Sequence, residues 1–355
     1  MIESIEIKNY KVLDSIEVEN LAQINIFVGK NNCGKTSLLE AIFLNFQPSN
    51  PMNIVSVVSN FIRQIQVSHD NLDYFFNQLD MTKPIKITSS YNHQKMHLQI
   101  TPKTTNDFTQ ILPNDINPND INMDIDKVLD KKTGAYITGL NFDIQFNGSP
   151  AVRSSFDIRR NNINNVIQVD YPSFSGMIFP SHMALMDAAS ILARLRILKK
   201  EQELLAYLQI FDEKIQGIEV INGEIMIDLA DMPKKISLNT MGEGLKKYLA
   251  ILASVIVGEY KYICIDEIEN GLHFESMHKL LESVIKLAQK TDIQLFVSTH
   301  SYEFLEILNA ISSENQYEQI AIFNIARTKL KGLQTYKYDM KDLENLLKTK
   351  TEFRD

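Results

Sequence analysis

Residues 29–36 read Gly29-Lys30-Asn31-Asn32-Cys33-Gly34-Lys35-Thr36, a complete G-x-x-x-x-G-K-[ST] pattern whose flanks decide the fold. Before it, Ile24-Asn25-Ile26-Phe27-Val28 is a short β-branched, apolar run, which predicts a buried strand. After it, Thr36-Ser37-Leu38-Leu39-Glu40-Ala41-Ile42 starts a helix with an apolar stripe. A strand feeding a glycine-containing loop that opens a helix aims successive backbone N–H groups and the helix N-terminus at one anion. Gly29 and Gly34 permit the tight loop, and the stretch from Asn31 through Cys33, with Ser37, lines the same cradle. In such a loop Lys35 reaches the β- and γ-phosphates and the Thr36 hydroxyl ligates Mg²⁺. The expected ligand is a nucleoside triphosphate, ATP, with Mg²⁺.

Composition narrows the class. The chain has 355 residues, 44% of them hydrophobic and 23% charged, with a formal net charge of −8. That length suits one large domain or two, and the acidic balance argues against a wholly basic nucleic-acid binder. The two cysteines are Cys33 in the loop and Cys264 in an apolar strand. Neither suggests a disulfide or a metal ligand, so a reducing cytoplasm is expected. Met1-Ile2-Glu3-Ser4-Ile5-Glu6 alternates like a strand rather than opening a signal peptide. No apolar run approaches the length of a membrane span.

Along the chain, residues 2–8 and 14–19 alternate as half-exposed strands, and one or two helices are expected between about 52 and 84. Residues 85–101 read as a hairpin, and the Asn/Asp-rich stretch 104–126 as an exposed loop. Further strands are expected near 138–146, 151–159 and 164–170, and two helical segments within 183–213. Asn222-Gly223 between two apolar runs is a strong hairpin signal. From 240 onward helices (243–257, 274–289, 302–312) alternate with apolar strands (261–265, 293–298, 319–325), which argues a parallel α/β sheet completing the one begun at residue 24. The expected architecture is α/β: a P-loop ATPase head with a mostly parallel sheet flanked by helices. An antiparallel β lobe precedes it, and a β-rich and short helical insertion interrupts it. In these terms 1–51 and 216–330 form a discontinuous ATPase domain, 52–180 the β-rich insertion, 181–215 a helical subdomain and 331–355 a strand and helix tail.

Three later segments complete the chemistry. Tyr262-Ile263-Cys264-Ile265-Asp266-Glu267 is an apolar strand ending in two acids. Ligands bind at the carboxyl ends of parallel strands, so Asp266 is expected to hold Mg²⁺ and Glu267 to orient or deprotonate the attacking water. Gln294-Leu295-Phe296-Val297-Ser298-Thr299-His300-Ser301 is the next strand, and His300 at its end is placed to hydrogen-bond the γ-phosphate. Thr240-Met241-Gly242-Glu243-Gly244-Leu245-Lys246-Lys247 opens a helix, and its free N–H groups suit another phosphate.

The order phosphate loop, insertion, Gly-rich helix start, Asp-Glu strand, His strand resembles the ABC-type ATPase heads, in which the signature of one subunit closes the ATP site of another. More narrowly, Met241-Gly242-Glu243-Gly244, Asp266-Glu267-Ile268-Glu269-Asn270-Gly271-Leu272-His273 and Ser298-Thr299-His300-Ser301 are similar to the OLD-like (overcoming lysogenization defect) ATPases of bacterial anti-phage and DNA-processing systems, within the wider SMC/RecF-like class. Ile5-Glu6-Ile7-Lys8-Asn9-Tyr10-Lys11 resembles that family's first strand, which implies that Lys11 lies near the nucleotide. The resemblance implies a homodimer, or higher homo-oligomer, closed head to tail around two Mg-ATP, with Gly242, Glu243 and Gly244 contributing to the partner's nucleotide. It implies service to a separately encoded effector, a nuclease or toxin, in phage defence. The alternatives are a RecF-like DNA-repair ATPase or an ATP-dependent assembly platform with little turnover. Nucleic acid is left open, and no membrane is implied. The chain departs from ABC transporters and SMC heads in carrying Gly242 where they place a serine, and from transporters in carrying His273 where they place an aspartate. OLD nucleases carry a Toprim domain after the ATPase, but the 55 residues after His300 contain no Asp-x-Asp, so this chain is not expected to supply that nuclease itself.

Overall fold

A computed structural model describes residues 1–46, 72–106, 135–157, 162–164, 175–181, 188–315, 317, 319–328 and 332–349. Of the one or two helices expected between about 52 and 84, the part up to residue 71 lies outside the described residues, as do the core of the Asn-rich loop and all but the first residue of the strand expected near 164–170. The chain divides into two compact units: Met1–Leu21, Asn31–Ser173 and Ile325–Thr335 form one, and Ala22–Lys30, Phe174–Asn324 and Tyr336–Asp355 the other.

The second unit is built on a parallel core. Strands β3 (Ile24–Val28), β13 (Tyr262–Ile265) and β14 (Gln294–Ser298) are buried at every position, as strands covered on both faces must be. β14 pairs in parallel with β3 on one side and β13 on the other. β15 (Ile320–Thr328) pairs in parallel with β3, and the full order is β16-β15-β3-β14-β13-β9, with β16 spanning Gly332–Tyr338. β9 (Gly176–Phe179) pairs in parallel with β13. Sequence reading places those residues in the insertion; the strand is too short for periodicity to reveal, and its pairing makes it part of the parallel sheet. The one polar residue inside β3, Asn25, is fully buried, its amide satisfied by Ala22 and by the carbonyl of Leu295.

Helices α2 (Ala188–Ile197) and α3 (Glu201–Phe211) answer to the two segments expected in 183–213. α4 (Glu243–Val257) is buried on all sides from Gly244 onward except at Lys246, the pattern of a helix sunk in a core. It ends at Gly258 in the left-handed conformation (φ +74°), and Lys200 Nζ donates to the carbonyls of Ile256 and Val257 at 2.7 and 3.3 Å, a cation at the negative end of the helix. α5 (Phe274–Lys290) is amphipathic, burying Met277, Leu280, Leu281, Val284, Ile285 and Leu287. α6 spans Tyr302–Asn315. α7 (Met340–Thr349) starts with a reciprocal cap, in which the N–H of Asp342 donates to Asp339 and the N–H of Asp339 donates to Asp342. The Asn222-Gly223 hairpin forms as expected: β10 (Ile215–Ile221) and β11 (Glu224–Leu229) flank a turn with φ +51° and +80°, and β12 (Ile236–Ser237) completes the small sheet.

The first unit is a seven-stranded sheet in the order β2-β1-β4-β5-β6-β7-β8. β1 (Ile2–Tyr10) and β2 (Leu13–Glu19) are the expected N-terminal strands, and β4 (Ile85–Tyr91) and β5 (Gln94–Thr105) the expected hairpin. β6 (Tyr136–Phe146), β7 (Val152–Asp157) and β8 (Asn162–Asn164) extend it. The N-terminal lobe and the insertion are therefore one sheet: β1 pairs with β4 across the break in sequence. Alternation sets its faces, with Ile5, Ile7, Ile85, Ile87, Leu98, Ile100, Phe142 and Ile144 buried and Lys8, Lys86, His97 and Arg153 exposed. α1 (Lys35–Phe46) belongs to this unit, its Asn45 exchanging hydrogen bonds with the buried Ser89 hydroxyl of β4. In place of helix, residues 73–79 form two single 3₁₀ turns.

Gly139 in β6 shows how tightly this sheet closes. A Cβ there would lie 2.0 Å from the carbonyl oxygen of Phe156 on β7, backbone that cannot yield without moving the strand. Gly139→Ala is expected to lower stability by about 1–3 kcal/mol, read as a lower urea midpoint, whereas Gly148→Ala at an open turn position should cost less.

Candidate functional site

The phosphate-loop sequence leaves the carboxyl end of β3 at Val28 and enters α1 at Lys35, the strand–loop–helix order that the motif requires. Gly29 (φ +142°) and Gly34 (φ +101°) occupy conformations that side chains resist. Asn31 and Asn32 are exposed, Asn32 at φ +62°, and Cys33, Thr36 and Ser37 are half-buried. Lys35 is buried, with Nζ 4.0 Å from Cys33 Sγ, and burial pushes the Cys33 thiol up against the opposing pull of Lys35. The N–H of Leu38 donates to the Gly34 carbonyl at 2.8 Å, closing the first helical turn.

The β1–β2 turn packs on this loop. A Cβ on Gly34 would meet Leu13 Cδ2 at 2.7 Å and Val12 Cγ1 at 3.1 Å, so Gly34 is required by space as well as by φ. Lys11, in the same turn at φ +48°, reaches both carboxylate oxygens of Glu40 on α1, at 2.7 and 2.6 Å. Glu40 is buried and also accepts from the Tyr10 hydroxyl at 3.0 Å. Burial of the Tyr10 phenol pushes it well up, and the charge of Glu40 adds to the shift. The main chain of Lys11 is fixed on both sides, donating to Phe75 and accepting from Asn77, which holds the unusual φ.

At the carboxyl edge of the parallel sheet, register brings the acids to β14. Ile265, Val297 and Ile26 lie in one row, so the residues that follow, Asp266 and Ser298, are neighbours. Ser298 Oγ donates to Asp266 Oδ1 at 2.6 Å and accepts from the N–H of Glu267 at 2.8 Å. Asp266 is buried and donates its own N–H to the Phe179 carbonyl. Glu267 stands at φ +43°, costly for a side-chain-bearing residue, and its Oε2 accepts from Asn270 Nδ2 at 2.6 Å. His300 is tied to Glu269: its N–H donates to Oε1 at 2.8 Å and its Nδ1 lies 3.0 Å from the same oxygen. The other oxygen of Glu269 is buried and has no hydrogen-bond partner among the described residues.

The 240–247 segment meets this turn. Gly242 is the exposed N-cap of α4, with nothing among the described residues within 4 Å of where a Cβ would sit, and Glu243 is exposed beside it. Gly244 is the opposite case: its Cβ would stand 2.7 Å from the carbonyl oxygen of Gly271. One turn on, Lys247 is 4% exposed and its Nζ donates to the carbonyl of Glu267 at 2.6 Å. Burial lowers its pKa to about 8 against the pull of Glu269, Asp266 and Glu267.

Sequence reasoning named Glu269 only as the base should Glu267 not serve, and singled out neither Lys247, Ser298 nor Asn270 as site residues. Ser298 ends an apolar strand and Lys247 interrupts the apolar face of a helix, which are the signals available; the partners of both are long-range.

Residues 59–306 match the family described as "AAA domain, putative AbiEii toxin, Type IV TA system". The chain belongs to that family. The matched segment of this AAA-domain protein begins after the phosphate loop and includes the Asp-Glu turn and His300. The chain is 31% identical over 333 residues to an ATP/GTP phosphatase of Helicobacter pylori, covering 89% of this chain and 90% of that protein. Among solved structures it is similar to the SMC head domain from Thermotoga maritima, with 12% identity, 95% and 98% coverage of the two chains and a TM-score of 0.44. It is also similar to an Smc head with an extended coiled coil, bound to the C-terminal domain of ScpA, from Pyrococcus furiosus, with 10% identity, 99% coverage of each chain and a TM-score of 0.49. Among the described residues no helix is long and apolar enough to cross a membrane.

Lys247 gives the site a pH signature. A lysine whose folded pKa is depressed from 10.5 to about 8 opposes folding while it is charged, and this penalty is relieved as pH rises from about 8 to 10.5. The stability of Lys247→Met minus that of the parent should therefore be largest at pH 7 and shrink by up to about 3 kcal/mol by pH 10.5. Urea denaturation of both proteins across that range measures it.

Proposed function

We propose that this AAA-domain ATPase hydrolyses ATP through Glu267, dimerises head to tail around two nucleotides, and serves a separately encoded effector. The observation that carries the hydrolytic reading is the Asp266–Glu267 turn. A buried aspartate and a glutamate held at φ +43° are both fixed by one serine hydroxyl, at the same sheet edge from which Gly29 and Lys30 leave β3. Strain kept at such a position marks function more often than packing. The likeness to an ATP/GTP phosphatase supports the same chemistry.

In this reading the phosphate-loop N–H groups and Lys35 hold the triphosphate. The Glu267 carboxylate, released from Asn270, accepts the proton of the attacking water, and His300, oriented by Glu269, donates to the γ-phosphate. Lys11 backs the loop through Glu40. The Thr36 hydroxyl and the Asp266 carboxylate are hard oxygen donors of the type that hold Mg²⁺ together with phosphates and water. When bound, that ion neutralises charge on the phosphate oxygens. Gly242 and Glu243, exposed at the start of α4, are the surface offered to a second copy's nucleotide. The Gly242 position lacks a hydroxyl, which favours slow turnover. Phage defence with a nuclease or toxin partner is what the OLD-like resemblance implies.

Two substitutions test the reading. Lys35→Ala should abolish ATP binding measured by calorimetry while leaving the circular dichroism spectrum intact, because its charge-assisted bonds to phosphate form only in the complex. Glu267→Gln should bind ATP normally yet release phosphate at least ~100-fold more slowly, the usual share of a positioned general base. It should also accumulate an ATP-dependent dimer in light scattering. Turnover at the parental rate would remove Glu267 from the mechanism.

A further inference from the structure

We infer that Lys247 is a positioning residue for Glu267: it fastens the first turns of α4 to the turn that carries the hydrolytic carboxylate, so that the exposed Gly242–Glu243 end and Glu267 move as one body. The inference rests on the assignment of Glu267 given above and adds the element that controls it.

Two contacts, at opposite ends of the 267–271 turn, make the attachment. At one end, Lys247 Nζ donates to the main-chain carbonyl of Glu267 at 2.6 Å. At the other, Gly244 lies so close to the Gly271 carbonyl that a Cβ would be 2.7 Å from it, and Gly271 itself, at φ +77°, would carry a Cβ 3.2 Å from that of Glu243. Between these points the turn is braced internally, by Asn270 on the Glu267 carboxylate and by the N–H of Asn270 on the Glu267 carbonyl at 3.0 Å. The helix cannot flex to absorb a displacement, since Leu245, Tyr248, Leu249 and Ile251 are all buried. A push on Gly242 is therefore delivered to Glu267.

Glu267 holds a left-handed backbone that its side chain resists, and its carbonyl is turned onto the ammonium. Burial in a position only 4% exposed disfavours the ammonium's charge, and Glu269, Asp266 and Glu267 partly offset that cost. A structural lysine would be expected to reach solvent or pair directly with a carboxylate; this one is spent on a main-chain oxygen of the hydrolytic turn. Lys247 touches Glu267 through the backbone and so acts through that residue rather than on the nucleotide.

The test compares Lys247→Met, Glu267→Gln and the double variant, as full-length chains, by ATP calorimetry and steady-state phosphate release. Lys247→Met should bind ATP within about twofold of the parent and lose at least ~10-fold in kcat with KM unchanged, because positioning is felt in the transition state and not in ground-state binding. In the Glu267→Gln background the same substitution should change kcat by less than twofold, since residues acting as a unit are not additive. Parental kcat in Lys247→Met overturns the inference, as does an equal loss in both backgrounds, which is what general loosening of the fold produces. Should the methionine variant not fold, Lys247→Arg is read instead: retained kcat supports the cationic donor, and an equal loss in both backgrounds overturns it. If Glu267→Gln itself turns over like the parent, the assignment of Glu267 has failed, a result distinct from a normal Lys247→Met beside a slow Glu267→Gln.

Discussion

The parallel ladder β3–β14–β13 is the constraint on which the rest of the hydrolytic unit depends. Its strands are buried at every position, so they leave no side chain free for chemistry along their length. Polar function must emerge where the hydrogen-bonded rows end. Because Ile26, Val297 and Ile265 share a row, the chain leaves that edge at Gly29, at Ser298 and at Asp266. Shifting one strand by a single residue would separate Ser298 from Asp266 and remove the shared hydroxyl that fixes both acids.

Around the site the protein holds strained backbone with main-chain contacts. Glu267 and Lys11 both sit at positive φ, and each is secured on its main chain as well as its side chain. Lys247 and Ser298 hold Glu267, while Phe75 and Asn77 hold Lys11. Both positions also carry charge in a buried setting. Such charges are tolerable only when surrounded by opposite charge or by satisfied dipoles, and the Tyr10–Lys11–Glu40 group and the acids around Lys247 meet that condition in different ways. The first is a closed ion pair with a phenol; the second leaves a cation on a carbonyl and one oxygen of Glu269 without a partner among the described residues.

Glycine marks the places where elements meet, and for two distinct reasons. Gly34 and Gly271 are required by their dihedral angles, with side chains pressed close to each, whereas Gly244 is required by the carbonyl of Gly271, with Leu272 close beside it. Gly242 is required by neither, since among the described residues it faces open space. Its lack of a side chain is thus compatible with a role toward something outside the chain, which is how the dimer proposal uses it.

The residues by themselves determined the P-loop class, the alternation of helices and parallel strands after 240, the Asn222-Gly223 hairpin and the two acids at the end of β13. Each of these depends on local spacing: a loop motif with its flanks, a period of 3.6 against a short apolar run, a turn dipeptide. The tertiary structure alone decided that β1–β2 and the insertion strands form one sheet, because β1 and β4 pair across more than seventy residues of sequence. It alone placed β9 in the parallel sheet, since four residues carry no readable period. It alone showed what Lys247, Ser298 and Asn270 do around Glu267, and how Glu40 captures Lys11. A lysine inside an apolar helix and a serine at a strand end look ordinary in sequence; their partners lie 20 and 31–32 residues away, and only the register of the sheet and the seating of α4 bring them together.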